Sequence, residues 1–521
     1  MQISTTFDYN QVQFDKENEV VLMTSFKAPK INPEKERAPL NLSLVLDVSG
    51  SMSGKKIEML KSTVSRLIQQ LNDRDTVGIV SFTNFISEVF APCKMTSLNK
   101  SEASKAVSRL VALSSTNMSG GILKGISQLK VSELGKDQVH RILLFTDGQA
   151  NEGLLSKEEF VGMLKENVSN TPMTVSCFGY GEDHSEDILK SIADEGKGNF
   201  YFIKSTEDIS KAFARELGGL LSCYAQNITV ELNMKENTGK FIEVLNNLDV
   251  DSKDEKSIKV TFDDLYSEEE KHLLVKVHLN SVTKAVTQRA SSVIKGTVKF
   301  NDMTCSGKEK VLDISSKIKF VKAEDVQKES TLSVLEQLGL IELAKKLEEA
   351  KKFADGGLFS KGVHTLVPGI YTQQLISRCS EIGGFIKTNL DETSNLMNSS
   401  TYSTSVGNNI SGCARGLNMY RSVNTTSNLY VNSSQKDMED KFKDLSEDSN
   451  NLDDQLNVDI VNNGTFGQTL LGGIFTNLGK SDVDIITSNT ITLNSGGQIG
   501  PNGLSNISST GNTTLSKRRS C

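Results

Sequence analysis

Between residues 42 and 222 the chain alternates two hydrophobic rhythms. Short, nearly unbroken apolar runs at 42–47, 77–82, about 86–90, 140–146, 173–179 and 199–203 read as strands. The segments between them, at about 56–72, 100–112, 119–130, 156–168, 184–195 and 206–222, read as helices. The first helix shows its period openly. Ile57, Leu60, Val64, Leu67, Ile68 and Leu71 recur at spacings that put them on one face. Strands apolar along their whole length are buried on both sides, and strands that alternate with helices pair in parallel. The pattern therefore predicts an α/β domain over 39–223, a mostly parallel sheet covered by helices on both faces.

Near residue 225 the rhythm changes. Asn227–Leu232, Ser257–Phe262, Lys276–Leu279, Val293–Phe300 and Ile318–Val321 alternate apolar and polar positions, which predicts an antiparallel β-rich sandwich over 224–322. Residues 1–38 hold a strand-like run, Glu19–Phe26. It is assigned to the same β-rich region, with the α/β unit inserted between. Residues 323–393 turn helical. Leu340, Leu343, Ala344, Leu347, Ala350, Phe353 and Ala354 mark one face, and Gly356-Gly357 and Pro368-Gly369 interrupt it. A helical hairpin or small bundle follows, with that stripe as core rather than a docking face. From 394 to 521 Asn, Ser, Thr and Gly dominate, which predicts a low-complexity, largely disordered tail with a short helix near 436–445.

Composition narrows the function classes. A chain of 521 residues suggests two to four domains at roughly 100–200 residues each. Net charge is −7, no basic block interrupts it, and Trp is absent, so neither phosphate neutralisation nor base stacking on nucleic acid is well supplied. No run approaches the roughly 20 apolar residues of a membrane helix. The first 20 residues lack a basic segment followed by an apolar one, so no secretory signal is expected. The seven cysteines are odd in number, scattered and without a CxxC pair. That argues against a disulfide framework or zinc module, and the expected setting is a reducing, intracellular compartment, the cytoplasm. Lys517-Arg518-Arg519 reads as an incidental basic end.

The chemistry sits at strand ends. Asp47-Val48-Ser49-Gly50-Ser51 follows the first strand and opens into the first helix. Loops after parallel strands gather at one edge of the sheet. Thr116, before the helix at 119, and Asp147, after the strand at 140–146, are expected at that edge beside Asp47, Ser49 and Ser51. Two carboxylates and three hydroxyls are hard oxygen donors. They suit Mg²⁺, or Mn²⁺ or Ca²⁺, and leave room for a further ligand. The bland alternative for Asp47, Ser49 and Ser51 is a helix-capping cluster. His184, among acids at a helix start, reads as part of a capping loop. Gly120-Gly121 have no following Lys to make a phosphate loop, and read as allowing close approach to the metal loop. Glu268-Glu269-Glu270 reads as a solvated turn. His140, His272, His278 and His364 are scattered, and no catalytic triad or acid pair emerges.

At these residues the chain resembles the von Willebrand factor A family. Asp47-Val48-Ser49-Gly50-Ser51 is similar to its D-x-S-x-S motif, Thr116 to its isolated threonine and Asp147, in Thr146-Asp147-Gly148, to its second aspartate. The resemblance implies a Rossmann-like, doubly wound domain with a metal-ion-dependent adhesion site. Ser49 and Ser51 then ligate the metal directly, while Asp47, Thr116 and Asp147 complete the shell directly or through water. A partner protein's Asp or Glu fills the open position. Residues 177–203, the segment 212–232 and Asp264–Glu270 also resemble a eukaryotic subgroup with a following β-rich region. Inter-α-trypsin-inhibitor heavy chains share that layout, and plant members with a RING finger are ubiquitin ligases. Only about 38 residues precede the domain and none has zinc-ligand spacing, so ligase activity is not expected to carry over. The resulting expectation is a non-enzymatic interaction module. A scaffold acting through the β-rich and helical regions is the alternative, and a ubiquitin-ligase relative a lesser one.

Overall fold

The computed structural model describes residues 1–33, 37–113, 115–131, 134–147, 150–168, 171–180, 186–203, 206–248, 250–283, 290–421 and 430–443. These residues form three sheets and a set of helices, all within the unit 1–447.

The chain opens with three strands, β1 (Gln2–Phe7), β2 (Gln11–Gln13) and β3 (Asn18–Lys27). The α/β domain follows. Its strands are β4 (Leu40–Asp47), β5 (Thr76–Phe82), β6 (Ile86–Lys94), β7 (Val139–Thr146), β8 (Met173–Tyr180) and β9 (Lys197–Ile203). They lie in the order β6-β5-β4-β7-β8-β9, parallel except for the antiparallel edge strand β6. Its helices are α1 (Lys55–Gln70), α2 (Ser97–Ser108), α3 (Met118–Leu129), α4 (Lys157–Asn167), α5 (Glu186–Glu195) and α6 (Thr206–Leu221). The order reverses on either side of β4, so the helices divide between the two faces. Ile57, Leu60 and Val64 of α1, Val107 of α2 and Phe213 of α6 share one core with Leu44 and Leu46. Ile122 of α3, Phe160 of α4 and Leu189 of α5 share the other with Val45 and Leu144. The predicted doubly wound arrangement holds because β4 and β7 are buried at every position.

The chain then returns to the β-rich part with β10 (Cys223–Met234), β11 (Gly239–Val244), β12 (Val250–Lys253), β13 (Ser257–Phe262), β14 (Leu265–Tyr266), β15 (Glu270–Leu279), β16 (Ser291–Asp302) and β17 (Lys308–Val321). One sheet runs β1-β3-β15-β11, the other β12-β13-β10-β16-β17-β2, with β14 pairing to β10. Leu22, Phe26 and Val275 of the first and Val230, Val260 and Val298 of the second fill one core. Alternation along β10 and β13 supplies the inward side chains.

Helices α7 (Leu332–Asp355), α8 (Phe359–Thr365), α9 (Ile370–Arg378) and α10 (Ser380–Leu396) pack through the predicted stripe, with Leu343, Leu347 and Ala350 against Leu375, Ile386 and Leu390. The structure departs from the expected disorder after 394. Helix α11 (Thr404–Met419) joins the same core through Ile410, Ala414 and Leu417. Its apolar face is diluted by Gly, Ser and Asn, so composition hid a period of three and four. Helix α12 (Ser433–Phe442), close to the short helix expected, buries Met438 and Phe442 in the α/β core. Residues 444–521, including the basic end, lie outside the described residues.

A buried polar junction ties these parts together. Arg141 on β7 donates to Asp264 Oδ2 at 2.6 Å. Arg421, just past α11, donates to Glu269 Oε1 at 3.0 Å, to Asn199 Oδ1 at 3.1 Å and to the Asp264 carbonyl at 2.6 Å. Glu269 is therefore not part of a solvated turn. It is buried because Arg421 neutralises it, and only Glu268 and Glu270 remain partly exposed. Among the described residues no helix is long and apolar enough to cross a membrane.

Candidate metal centre

Asp47 ends β4 at the carboxyl edge of the sheet, fully buried. The chain leaves the strand by fixed backbone bonds. The Val48 amide donates to the Phe82 carbonyl at 3.0 Å, and the Leu113 amide donates to the Val48 carbonyl at 2.8 Å. Asp47 Oδ1 accepts the Ser49 amide at 2.8 Å, curling the loop back on its own carboxylate. A 3-10 turn over Gly50–Met52 follows, and Gly54 at φ 79° swings the chain into α1. The alternating Asp47, Ser49 and Ser51 thus converge instead of pointing apart. Ser49 Oγ lies 3.1 Å from Ser51 Oγ, and Ser51 Oγ donates to Asp147 Oδ1 at 2.8 Å.

Asp147, just past β7, is nearly buried. The structure thereby brings together four of the five expected residues through direct polar contacts. Thr116 is tied in by its backbone. Its amide donates to Asn151 Oδ1 at 2.7 Å, and its carbonyl accepts the amides of Asn151 and Glu152 at 3.1 and 3.2 Å. This buried threonine is so clamped to the loop that follows Asp147, while Asn117 caps α3 by accepting the Gly120 amide.

Two residues escaped the sequence reading. Thr146 Oγ1 donates to Asp47 Oδ2 at 2.6 Å, and Lys56 Nζ donates to Asp147 Oδ2 at 2.9 Å. Thr146 gives no signal of its own in the sequence, because it is simply the last residue of β7. Lys56 gives no signal in the sequence, because nothing in local spacing distinguishes the second residue of a helix from its other charged positions. Gly120 and Gly121 also act otherwise than expected. A Cβ on Gly121 would meet Phe82 at 2.7 Å, and one on Gly120 would meet Ile86 at 2.9 Å, so these glycines let α3 close onto β5 and β6. Gly148 and His184 lie outside the described residues.

Burial pushes the Asp47 carboxyl up to about 6, against the hydrogen bonds from Ser49 and Thr146, and the charge of Asp147 adds to the rise. A buried carboxylate beside a second one gains from a cation between them. Among the described residues no three His, Cys, Asp or Glu cluster to share a metal. A cation here would therefore depend on hydroxyl oxygens as well as carboxylates, a donor set that fits Mg²⁺ and not Zn²⁺.

The described histidines have other surroundings. His140 contacts Asn41 Nδ2 and the Gly135 carbonyl, and His272 contacts Ser25.

Comparison with known proteins identifies the domain. The family model described as von Willebrand factor type A domain matches residues 41–215. An uncharacterised protein of Synechocystis sp. is 30% identical over 186 residues, 36% of this chain and 43% of that protein. The E3 ubiquitin-protein ligase WAV3 of Arabidopsis thaliana is 28% identical over 258 residues, 49% of this chain and 33% of that protein. The chain thus spans less than half the length of either relative. In structure, a von Willebrand factor type A protein from Catenulispora acidiphila superposes with a TM-score of 0.57 at 15% identity, over 76% of this chain and 88% of that one. That likeness shows a shared fold. The match over 41–215, on a sheet of this order, identifies that part of the chain as a von Willebrand factor type A domain.

Proposed function

We propose that the protein is a metal-dependent protein-binding module. Asp47, Ser49, Ser51, Thr116 and Asp147 hold a divalent cation, Mg²⁺ or in its place Mn²⁺ or Ca²⁺, and an Asp or Glu of a partner protein adds to it. The supporting observation is the hydrogen-bonded chain from Ser49 through Ser51 to Asp147, beside the buried Asp47. A helix-capping cluster has no need of a second carboxylate from another strand. Bound cation supplies one chemistry here, an open position that a carboxylate oxygen can fill. The chain's own groups do the rest: Thr146 and the Ser49 amide hold Asp47, and Asn151 holds the Thr116 backbone.

The loops around the site favour capture of a protein over a small ion alone. Phe85, Leu113 and Leu155 on those loops are 75%, 62% and 52% exposed. Apolar side chains left in water at a rim of this kind suit a macromolecular contact. The ligase activity named for WAV3 is not proposed, because the match covers only a third of that protein.

The test is capture by the immobilised full chain from cell extract, in Mg²⁺ and again in chelator, beside the Asp47→Ala variant. Binding in Mg²⁺ that is lost in both other arms is the expected result. Partners retained through chelation and substitution alike would show that binding runs through another surface.

A further inference from the structure

Lys56 sits where a helix least favours it. It is the second residue of α1, and the first turn of a helix carries positive partial charge that repels cations. Yet its ammonium turns back toward the site, 2.9 Å from Asp147 Oδ2. It also lies 5.3 Å from the ring centroid of Tyr180, at the end of β8. The Asp147 side chain is 6% exposed and that of Lys56 31%. The carboxylate is thus fixed and the ammonium retains a path to solvent along its flexible stem.

We propose that Lys56 is a tethered counter-cation: it neutralises Asp147 while no metal is bound, and must swing away when a divalent ion enters. This rests on the metal-site reading above. Lys56 takes Oδ2 of Asp147 while Ser51 takes Oδ1, so a divalent ion at the loop would share this carboxylate with the ammonium, and the two cations would repel at short range. Lys56 therefore offsets the charge of Asp147 in the metal-free chain and weakens the affinity of the site for metal. The proposal assigns the residue a role in regulating occupancy, separate from the oxygen ligands.

Mn²⁺ alone is the probe. The full-length chain and its Lys56→Gln and Lys56→Met variants are titrated at fixed ionic strength, with free Mn²⁺ read by electron paramagnetic resonance. Lys56→Met keeps the apolar stem over Tyr180, so it covers the case in which the Gln variant folds poorly. Lys61→Gln removes the same charge from the same helix, where Lys61 pairs with Glu58. Loss of a partly buried ion pair and of repulsion toward the metal should tighten Mn²⁺ binding at least about fivefold in both Lys56 variants. Lys61→Gln should stay within about twofold of the parent, because salt screens a more distant charge. Thermal melts should show a larger Mn²⁺-induced rise for the Lys56 variants. Unchanged or weaker binding in them, with the parent still binding, would overturn the role of Lys56 and leave the metal site standing. Failure of parent and variants alike to bind Mn²⁺ would overturn both.

Discussion

At the residue scale, burial decides what each titratable group does. His272 faces Ser25 across the β15–β3 ladder, its ring nitrogen 2.8 Å from the hydroxyl. Burial lowers its pKa from 6.5 to about 4, with Lys27 adding to the fall and Glu270 opposing it. The folded chain then binds fewer protons than the unfolded one between those values, so this residue's contribution, present above pH 6.5, is lost as pH falls. Asp8 acts with the opposite sign. Burial raises its carboxyl from 3.8 to about 6, so its contribution grows as pH falls through 6. Replacing His272 separates the two. Between pH 7 and pH 5 the His272→Gln variant should lose less stability than the parent, by on the order of 2 kcal/mol in urea unfolding. Parallel pH curves for the two proteins would refute the assignment.

At the element scale, α3 depends on small residues for its seat on the sheet. A Cβ on Gly125 would stand 2.6 Å from Val45 Cγ2 and 3.2 Å from Ser43 Oγ. Both neighbours lie on β4, the strand that ends in Asp47, and both are fully buried, so neither can give way cheaply. Gly125→Ala should therefore cost about 1–3 kcal/mol despite the better helix propensity of Ala. Chemical denaturation checks this directly, and a neutral or stabilising outcome would mean that α3 sits less tightly on the sheet. Helix α12 shows another side of element packing. Its Gln435 donates to the Arg215 carbonyl of α6, and Arg66 of α1 donates to the Lys441 carbonyl. A polar ten-residue helix is held in place by contacts more than 200 positions away in sequence.

At the scale of the whole molecule, the α/β domain, the β-rich part and the helices share one charged junction. Arg421 makes its hydrogen bonds there while its guanidinium lies 4.1 Å from the Tyr266 ring centroid. Removing one partner of a buried pair strands the other charge. Arg421→Met leaves Glu269 buried opposite an apolar side chain and should cost about 3–5 kcal/mol. Thermal melting of the full chain measures it. A loss below about 1 kcal/mol would mean that Glu269 finds another cation or water. Since the junction touches β9, α11 and the Asp264–Glu269 turn together, the loss should appear as a lowered transition for the α/β domain as well.

Much of this was legible in the sequence. The alternation of apolar runs and helical periods determined the α/β domain, because a strand buried on both faces has few other ways to be written. The motif residues Asp47, Ser49, Ser51 and Asp147 were legible for a related reason: loops after parallel strands must meet at one edge. Tertiary structure alone decided three things. Lys56 and Thr146 became neighbours of the carboxylates only through the fold, since nothing in local spacing marks a helical lysine or a strand threonine as different. The burial of Glu269 depended on an arginine some 150 residues further along, a distance that no local rhythm reports. Helix α11 was concealed because glycine, serine and asparagine read as disorder until a facing α7 gives small side chains something to close against. Sequence periodicity records which face of an element is buried, and only the assembled fold determines which charges that burial brings into contact.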